Sequence, residues 1–362
     1  MTLRNYKVLL LADPFDVEYK FTLKALQEAF AQIPECQVTV SSKLSLFNGV
    51  LGSLLHIFVK FFIKHFPNAY NKIYEITDES AATLWIRTLL CKIVASTHDG
   101  QLKDIRPDII IAAGIIPAGV MNIYKEDHPK VFLAEVVPQY TIHQWWLYER
   151  TNLFFLAGED VRPFAEFKAW QKTFSCGVPV RQAFKEVYNR EYLRMKFGWK
   201  KDDRVCLIMD DKINPLPIED IMTSIVNNYD ASIKFMVVVG KNVSAARQLR
   251  RCPYAMKIFG FVESAAEMMN CADYLITRAR GVIAAEALTT PAKYILYTPL
   301  PGSEQANAQY LENLGAVKVA HNPYEVATTI KEYDRADNIF LGAMGKPLSA
   351  DYVAEVVLRE MD

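Results

Sequence analysis

Residues 258–288 read IFGFVESAAEMMNCADYLITRARGVIAAEAL. Two short apolar runs, Lys257–Phe259 and Tyr274–Thr277, flank a helix-length segment, and a further helical pattern starts near Gly281. A short apolar run, a helix and another short apolar run mark neighbouring parallel strands joined by a crossover. The alternation continues outward in both directions. Val205–Met209, Lys234–Val239 and Tyr294–Tyr297 repeat it in the second half. In the first half Lys7–Ala12, Asp108–Ala113, Lys130–Val137 and Leu153–Ala157 read as strands, and residues 18–31 place Phe21, Leu23, Leu26 and Phe30 at helical spacing. The pattern predicts an α/β protein with a doubly wound parallel sheet in each half and right-handed crossovers.

The chain has 362 residues, more than the roughly 250–300 at which a single core stops growing. Gly177 and Pro179 break the periodicity in Cys176–Arg181 and set the expected boundary. The expected domains are 1–178 and 179–345, with a helix over 346–362 packing back on the first. Lys and Arg number 41, as do Asp and Glu. That balance lacks the basic excess of a nucleic-acid binder. Cys36, Cys91, Cys176, Cys206, Cys252 and Cys271 form no C-x-x-C pair, so reduced thiols and no metal site are expected. The opening MTLRNYKVLLLADP reads as a first strand rather than a signal peptide, and a cytoplasmic location is the expectation.

Leu44–Phe66, LSLFNGVLGSLLHIFVKFFIKHF, departs from the alternation. No acidic residue occurs from Cys36 to Tyr74. His56, Lys60 and Lys64 share one helical face, and Leu51, Leu54, Leu55, Phe58, Phe61 and Phe62 form a broad apolar one. The basic residues and two glycines interrupt the ~20 apolar positions that a membrane span needs. Two readings stand: a basic amphipathic helix lying in a membrane interface, or a helix buried in the first domain.

Ligands of open parallel sheets bind beyond the carboxyl ends of the strands. In order along the chain, those loops include VPQYTIHQWWLYERTNLFFLAGEDV (137–161), VVVGKN (237–242), the 258–288 run and TPLPGSEQANAQYLENLGA (298–316). Together they resemble the monogalactosyldiacylglycerol synthase and processive diacylglycerol glucosyltransferase family, related to the enzyme that adds N-acetylglucosamine to the lipid-linked peptidoglycan precursor. The resemblance implies a GT-B fold, two Rossmann-like domains facing across a cleft. It also implies inverting transfer from a UDP-sugar to a lipid, with no metal at the reaction centre and no cofactor beyond the UDP-sugar co-substrate. It assigns Gly260, Phe261 and Val262 to the uracil. Glu286 falls to the ribose hydroxyls, and Pro301, Gly302, Glu304 and Asn307, with Ser303 in place of the family's glutamine, to the donor sugar. His143 and Trp146 match an acceptor-side D-[FY]-x-x-H-x-x-W segment.

The phosphate-handling loops depart from the family. After the first strand its glycine-rich turn ending in G-H is replaced by Ala12-Asp13-Pro14-Phe15-Asp16-Val17-Glu18-Tyr19. Met209-Asp210-Asp211-Lys212 stands where a G-G-G run is usual, and Arg278-Ala279-Arg280-Gly281 where K-P-G-G is usual. Without glycine, backbone N–H groups approach a phosphate less closely. Arginine supplies bidentate contacts instead. Arg278, Arg280 and the helix start at Gly281 are therefore expected at the diphosphate, with Asp13 and His143 as candidate catalytic bases.

The expected activity is transfer of a sugar from a UDP-sugar to a diacylglycerol-type lipid. Phe58, Lys60, Phe61, Phe62, Lys64 and Trp146 would meet the acceptor and an anionic membrane surface, peripherally on its inner face. The alternative is a catalytically silent member that binds nucleotide-sugar or lipid as a regulatory protein. A UDP-sugar epimerase shares the two-domain plan but has no use for a lipid-facing segment. The sugar, the acceptor and the oligomeric state are not legible.

Overall fold

A computed structural model describes residues 5–12, 17–41, 57–58, 61–63, 65–161, 172–210, 215–263, 265–335 and 345–361. The chain divides into two compact units: 1–182 with 301–303 and 346–362, and 183–300 with 304–345.

The first unit holds a six-stranded parallel sheet of β1 (Tyr6–Ala12), β2 (Cys36–Ser41), β3 (Ile109–Ala113), β4 (Phe132–Val136), β5 (Leu153–Leu156) and β6 (Lys172–Ser175), in the order β2-β1-β3-β4-β5-β6. Successive side chains of a strand face opposite ways, and both faces are covered. Val8, Leu10 and Ala12 enter one core, with Ile109 and Ile111, beneath helices Val17–Phe30 and Ser349–Met361. Leu9 and Leu11 enter another, with Ile110 and Ala112, beneath helices Leu84–Ile105 and Ile115–Asp127. Two-sided burial is why these strands read as unbroken apolar runs. On the second face a Cβ at Gly119 would lie 2.3 Å from Cys91 Sγ and 2.4 Å from Tyr148 Oη, so only glycine fits.

The second unit has β7 (Val205–Met209), β8 (Lys234–Val238), β9 (Met256–Phe259), β10 (Tyr274–Thr277), β11 (Lys293–Tyr297) and β12 (Lys318–Ala320), parallel and ordered β12-β11-β10-β7-β8-β9. This is the Rossmann order. Helices Ile218–Asn228 and Pro323–Arg335 close one face over Ile208, Val237, Ile276 and Ile295.

Strands β2, β6 and β12 were not expected from the sequence. All three are sheet edges, and β2 is only half-covered, which weakens the apolar pattern. All six cysteines are free thiols and four are buried. Most of Leu44–Phe66, including His56, Lys60 and Lys64, lies outside the described residues. Among those described, Phe58 is 61 % and Phe61 51 % exposed and Phe62 is half-buried, which speaks against a helix buried in the first domain.

Candidate functional site

The strand order reverses between β1 and β3 in one unit and between β7 and β10 in the other. Ligands of such sheets gather at the carboxyl ends of those strands. In the first unit these ends are Ala12, followed in sequence by Asp13, and Ala113, followed by helix Ile115–Asp127. Asp13 itself lies outside the described residues. In the second unit Met209 leads to Asp210, and Thr277 leads to Arg278, Ala279, Arg280 and helix Gly281–Ala287.

Arg278 is buried, and its Nη1 donates to the carbonyls of Tyr297 (2.9 Å) and Thr298. Thr298 sits at φ +40°, a strained conformation for a β-branched residue. Its N–H donates to Ala320 O (2.8 Å). Arg278 thus braces the turn that follows β11. Burial and the two carbonyls commit Nη1 to the fold, so any contact of Arg278 with a diphosphate would fall to the rest of its guanidinium. Arg280 is placed differently. Its Nε lies 3.8 Å from Glu304 Oε1, each side chain 13 % exposed. Glu304 Oε2 also accepts from Leu300 N–H (3.1 Å), fixing the start of helix Ser303–Asn313.

Asn307 is buried and its Nδ2 donates to Ala279 O (3.4 Å), tying that helix to the loop after β10. Arg280, Glu304 and Asn307 are therefore brought together around one loop. Gly281 is buried at the first position of its helix, and Ser303 is half-buried at the first position of its own. Gly302, at φ +86°, needs glycine for that turn. Glu286 is 1 % exposed, so the carboxylate expected at the ribose has almost no surface in this conformation. Beyond β9, Gly260 and Phe261 are exposed and Val262 is half-buried, with the Phe261 ring free to stack.

In the first unit His143 caps a 3₁₀ turn, Gln144–Trp146. Its Nδ1 accepts from Trp145 N–H (3.1 Å), and Nε2 meets Tyr74 O (3.3 Å) and Thr77 Oγ1 (3.2 Å). With Nδ1 accepting, the proton belongs on Nε2, where Tyr74 O receives it. Burial lowers the imidazole pKa, partly countered by Asp78, 4.0 Å away, and by the Tyr74 carbonyl. Both ring nitrogens meet protein groups in this conformation, so His143 would have to release Tyr74 O or Thr77 to act as a base. Trp146 is fully buried against Tyr19 and has no surface to offer an acceptor in this conformation.

Sequence reasoning passed over Glu135. It interrupts the apolar strand FLAEV and is fully buried. Oε1 accepts from Thr151 Oγ1, and Oε2 has no partner among the described residues. Burial pushes its carboxyl well above the usual range, opposed by the Thr151 hydrogen bond and the Arg87 charge. A lone acid inside an apolar strand was the available signal.

Apolar side chains stand exposed on two helices of this unit. Pro67–Glu79 buries none of its residues and shows Ile73 and Ile76. Leu84–Ile105 shows Trp85, Leu89 and Ile93, spaced by four along one face. No helix among the described residues is long and apolar enough to cross a membrane, and no group of metal-binding side chains occurs among them.

Two Rossmann-type sheets, one per unit, define a GT-B protein. Solved structures show the same plan. The calicheamicin glycosyltransferase CalG4 matches with a TM-score of 0.65 and 12 % identity, over 98 % of this chain and 99 % of that one. The UDP-GlcNAc 2-epimerase of Neisseria meningitidis matches at 0.62 and 14 %, over 98 % and 100 %. Within that class the chain is similar to the diacylglycerol glycosyltransferases. The family model for monogalactosyldiacylglycerol (MGDG) synthase matches residues 22–180. The processive diacylglycerol beta-glucosyltransferase of Bacillus cytotoxicus is 24 % identical over 375 residues, spanning 99 % of this chain and 95 % of its own length. These likenesses support a glycosyltransferase.

Proposed function

We propose that the chain transfers a sugar from a UDP-sugar to a diacylglycerol-type lipid with inversion. The similarity to a diacylglycerol glucosyltransferase along nearly the whole chain carries this reading. The exposed rows of Ile73, Ile76, Trp85, Leu89 and Ile93, together with Phe58 and Phe61, supply an apolar surface for a lipid acceptor. With Lys60 and Lys64 nearby in sequence, that surface docks peripherally on an anionic membrane, each basic residue near it adding about 1 kcal/mol. An epimerase acting on a soluble nucleotide-sugar has no need of it.

Phe261 stacks on the uracil and Glu286 accepts from the ribose hydroxyls. Arg280 and Glu304 separate when the donor arrives: the guanidinium turns to the diphosphate and the carboxylate to a sugar hydroxyl. The acceptor hydroxyl attacks the anomeric carbon, Asp13 takes its proton, and the bond to the diphosphate breaks to release UDP. Charge grows on the diphosphate as that bond breaks, so Arg280 acts mainly in the transition state.

The test is glycolipid formation from a panel of UDP-sugars with diacylglycerol vesicles. Transfer that falls with salt and with Lys60→Glu plus Lys64→Glu supports donor, acceptor and docking together. Donor binding without transfer or hydrolysis in any combination would mark a catalytically silent chain. Epimerised nucleotide-sugar in the absence of lipid would replace the reading altogether.

A further inference from the structure

The amino ends of β7, β10 and β11 carry a second charged cluster, at the opposite end of that sheet from the loops considered above. Arg204 precedes β7, Tyr274 opens β10 and Lys293 opens β11. With Arg190, Asp273, Pro291 and Asp334 they line a pocket of about 340 Å³.

Its hydrogen-bonding capacity is unevenly used. Asp273 Oδ1 accepts from Arg190 Nη2 (2.8 Å), and Oδ2 from Arg194 Nη2 and Val205 N (both 2.7 Å). Asp334 Oδ1 accepts from Tyr274 OH (2.6 Å) and Lys293 Nζ (2.8 Å). Its Oδ2 accepts from Tyr229 OH and pairs with Arg204 Nη1 (3.0 Å). Every carboxylate oxygen is engaged. The cations are not used up. Among the described residues Arg190 spends Nη2 and Nε on Asp273 and the carbonyls of Ala272 and Cys271, leaving Nη1. Arg204 spends Nη1 alone, leaving Nε and Nη2. Lys293 Nζ reaches Tyr333 O (3.0 Å) and Asp334, leaving one of its three N–H groups.

The spare groups are thus donors, all on cations. The cationic side chains are 31–49 % exposed, while Asp273 and Asp334 lie deeper at 22–23 %. Among the lining residues Arg190, Arg204 and Lys293 also outnumber Asp273 and Asp334 by one charge. The complement to such a surface is a compact anion rich in acceptors. The free Nε and Nη2 of Arg204 form the planar fork that suits two oxygens of a phosphate.

We propose that this pocket binds a small soluble phosphate, as the free ion or a phosphomonoester. The proposal does not depend on the activity at the other end of the sheet. The probe is inorganic phosphate, titrated calorimetrically into the full chain with excess UDP present to fill any nucleotide site, and glycerol 3-phosphate is titrated in parallel. Saturable binding of either, weakened roughly tenfold or more by Arg204→Gln, is the expected result. Pro291→Glu keeps every ion pair and adds a carboxylate at the lining, and it should weaken binding likewise even if Arg204→Gln folds poorly. Absence of saturable binding at millimolar phosphate, or binding unchanged in the folded variants, would overturn the proposal.

Discussion

The segment after β4 and the loops after β10 and β11 both carry polar residues matched to the diacylglycerol glycosyltransferases, yet they use them differently. After β4, His143 and Trp146 are interior: one caps a 3₁₀ turn through Nδ1 and meets Tyr74 O through Nε2, the other fills the core. After β10, Arg278 is interior as well, but Arg280 two positions on forms a partly exposed pair with Glu304. A residue can hold its place in a family pattern because it builds the loop or because it meets the ligand. Burial and hydrogen-bond commitment tell the two apart, and alternate residues of one loop can fall on either side.

The largest effect expected concerns the first unit, where the proposed function gives the base role to Asp13. Asp13→Asn should reduce sugar transfer by roughly 100- to 10,000-fold, the usual worth of a general base, with donor affinity unchanged. Steady-state turnover and UDP calorimetry measured together check this. Full turnover in the variant would return the base role to another group.

Next comes the contrast between the two arginines. Arg278→Ala strips a buried cation from the Tyr297 and Thr298 carbonyls and should cost about 2–4 kcal/mol of stability. Arg280→Ala, which breaks one ion-pair contact of 3.8 Å rather than two carbonyl hydrogen bonds, should cost less than Arg278→Ala while lowering turnover and its ratio to KM together. Urea denaturation of both variants beside their kinetics decides it. Equal destabilisation would erase the distinction between bracing and ligand-facing residues.

A smaller effect is expected at Glu286. Removing a charged acceptor from two ribose hydroxyls should weaken UDP by about 1.5–3 kcal/mol. Calorimetry on Glu286→Ala reads this, and an unchanged Kd would class Glu286 with the bracing residues.

The smallest effects are on pH dependence, and they oppose one another. His143 has its pKa lowered from 6.5 by burial, so the unfolded chain binds the proton more readily and stability falls as pH drops below about 6.5. Glu135 has its pKa raised well above 4.5, also by burial. Its contribution is fully present below about pH 4.5 and is lost as pH rises through its folded value. Each slope is at most about 1.4 kcal/mol per pH unit. Denaturation midpoints across pH should lose the acid-side fall in His143→Gln and the alkaline-side fall in Glu135→Gln. A profile unchanged in both variants would show that neither group titrates with folding.

Where both faces of a strand are covered, the chain spells its fold directly: VCLIM and YLIT coincide with β7 and β10 residue for residue. Edges are less legible, because β12 has three residues and only Ala320 is fully buried. The site was legible as positions but not as roles. Arg278 and Arg280 are identical letters two apart, and only the left-handed turn at Thr298 shows what the first is for. Glu135 could have been noticed, since a carboxylate inside an apolar strand must either pair or hold its proton. The pocket at the amino ends is not legible in the sequence, because Arg190, Arg204, Asp273, Lys293 and Asp334 are scattered along it and meet only once the strands are laid side by side.

Helix Ser349–Met361 contributes Ala350, Val353, Ala354, Val356 and Val357 to the core beneath β1. During synthesis this gives the units an unusual order of completion. Chains generally acquire structure from the amino end as they emerge. Here the first-made sheet waits, with one apolar face incompletely covered, until residue 357 has left the ribosome. The later-made sheet has its closing helix by Arg335. The opening half of the chain is thus the part most exposed to chaperones and to aggregation, and a stop codon shortly before Ser349 would spare the second unit while leaving the first without its cover.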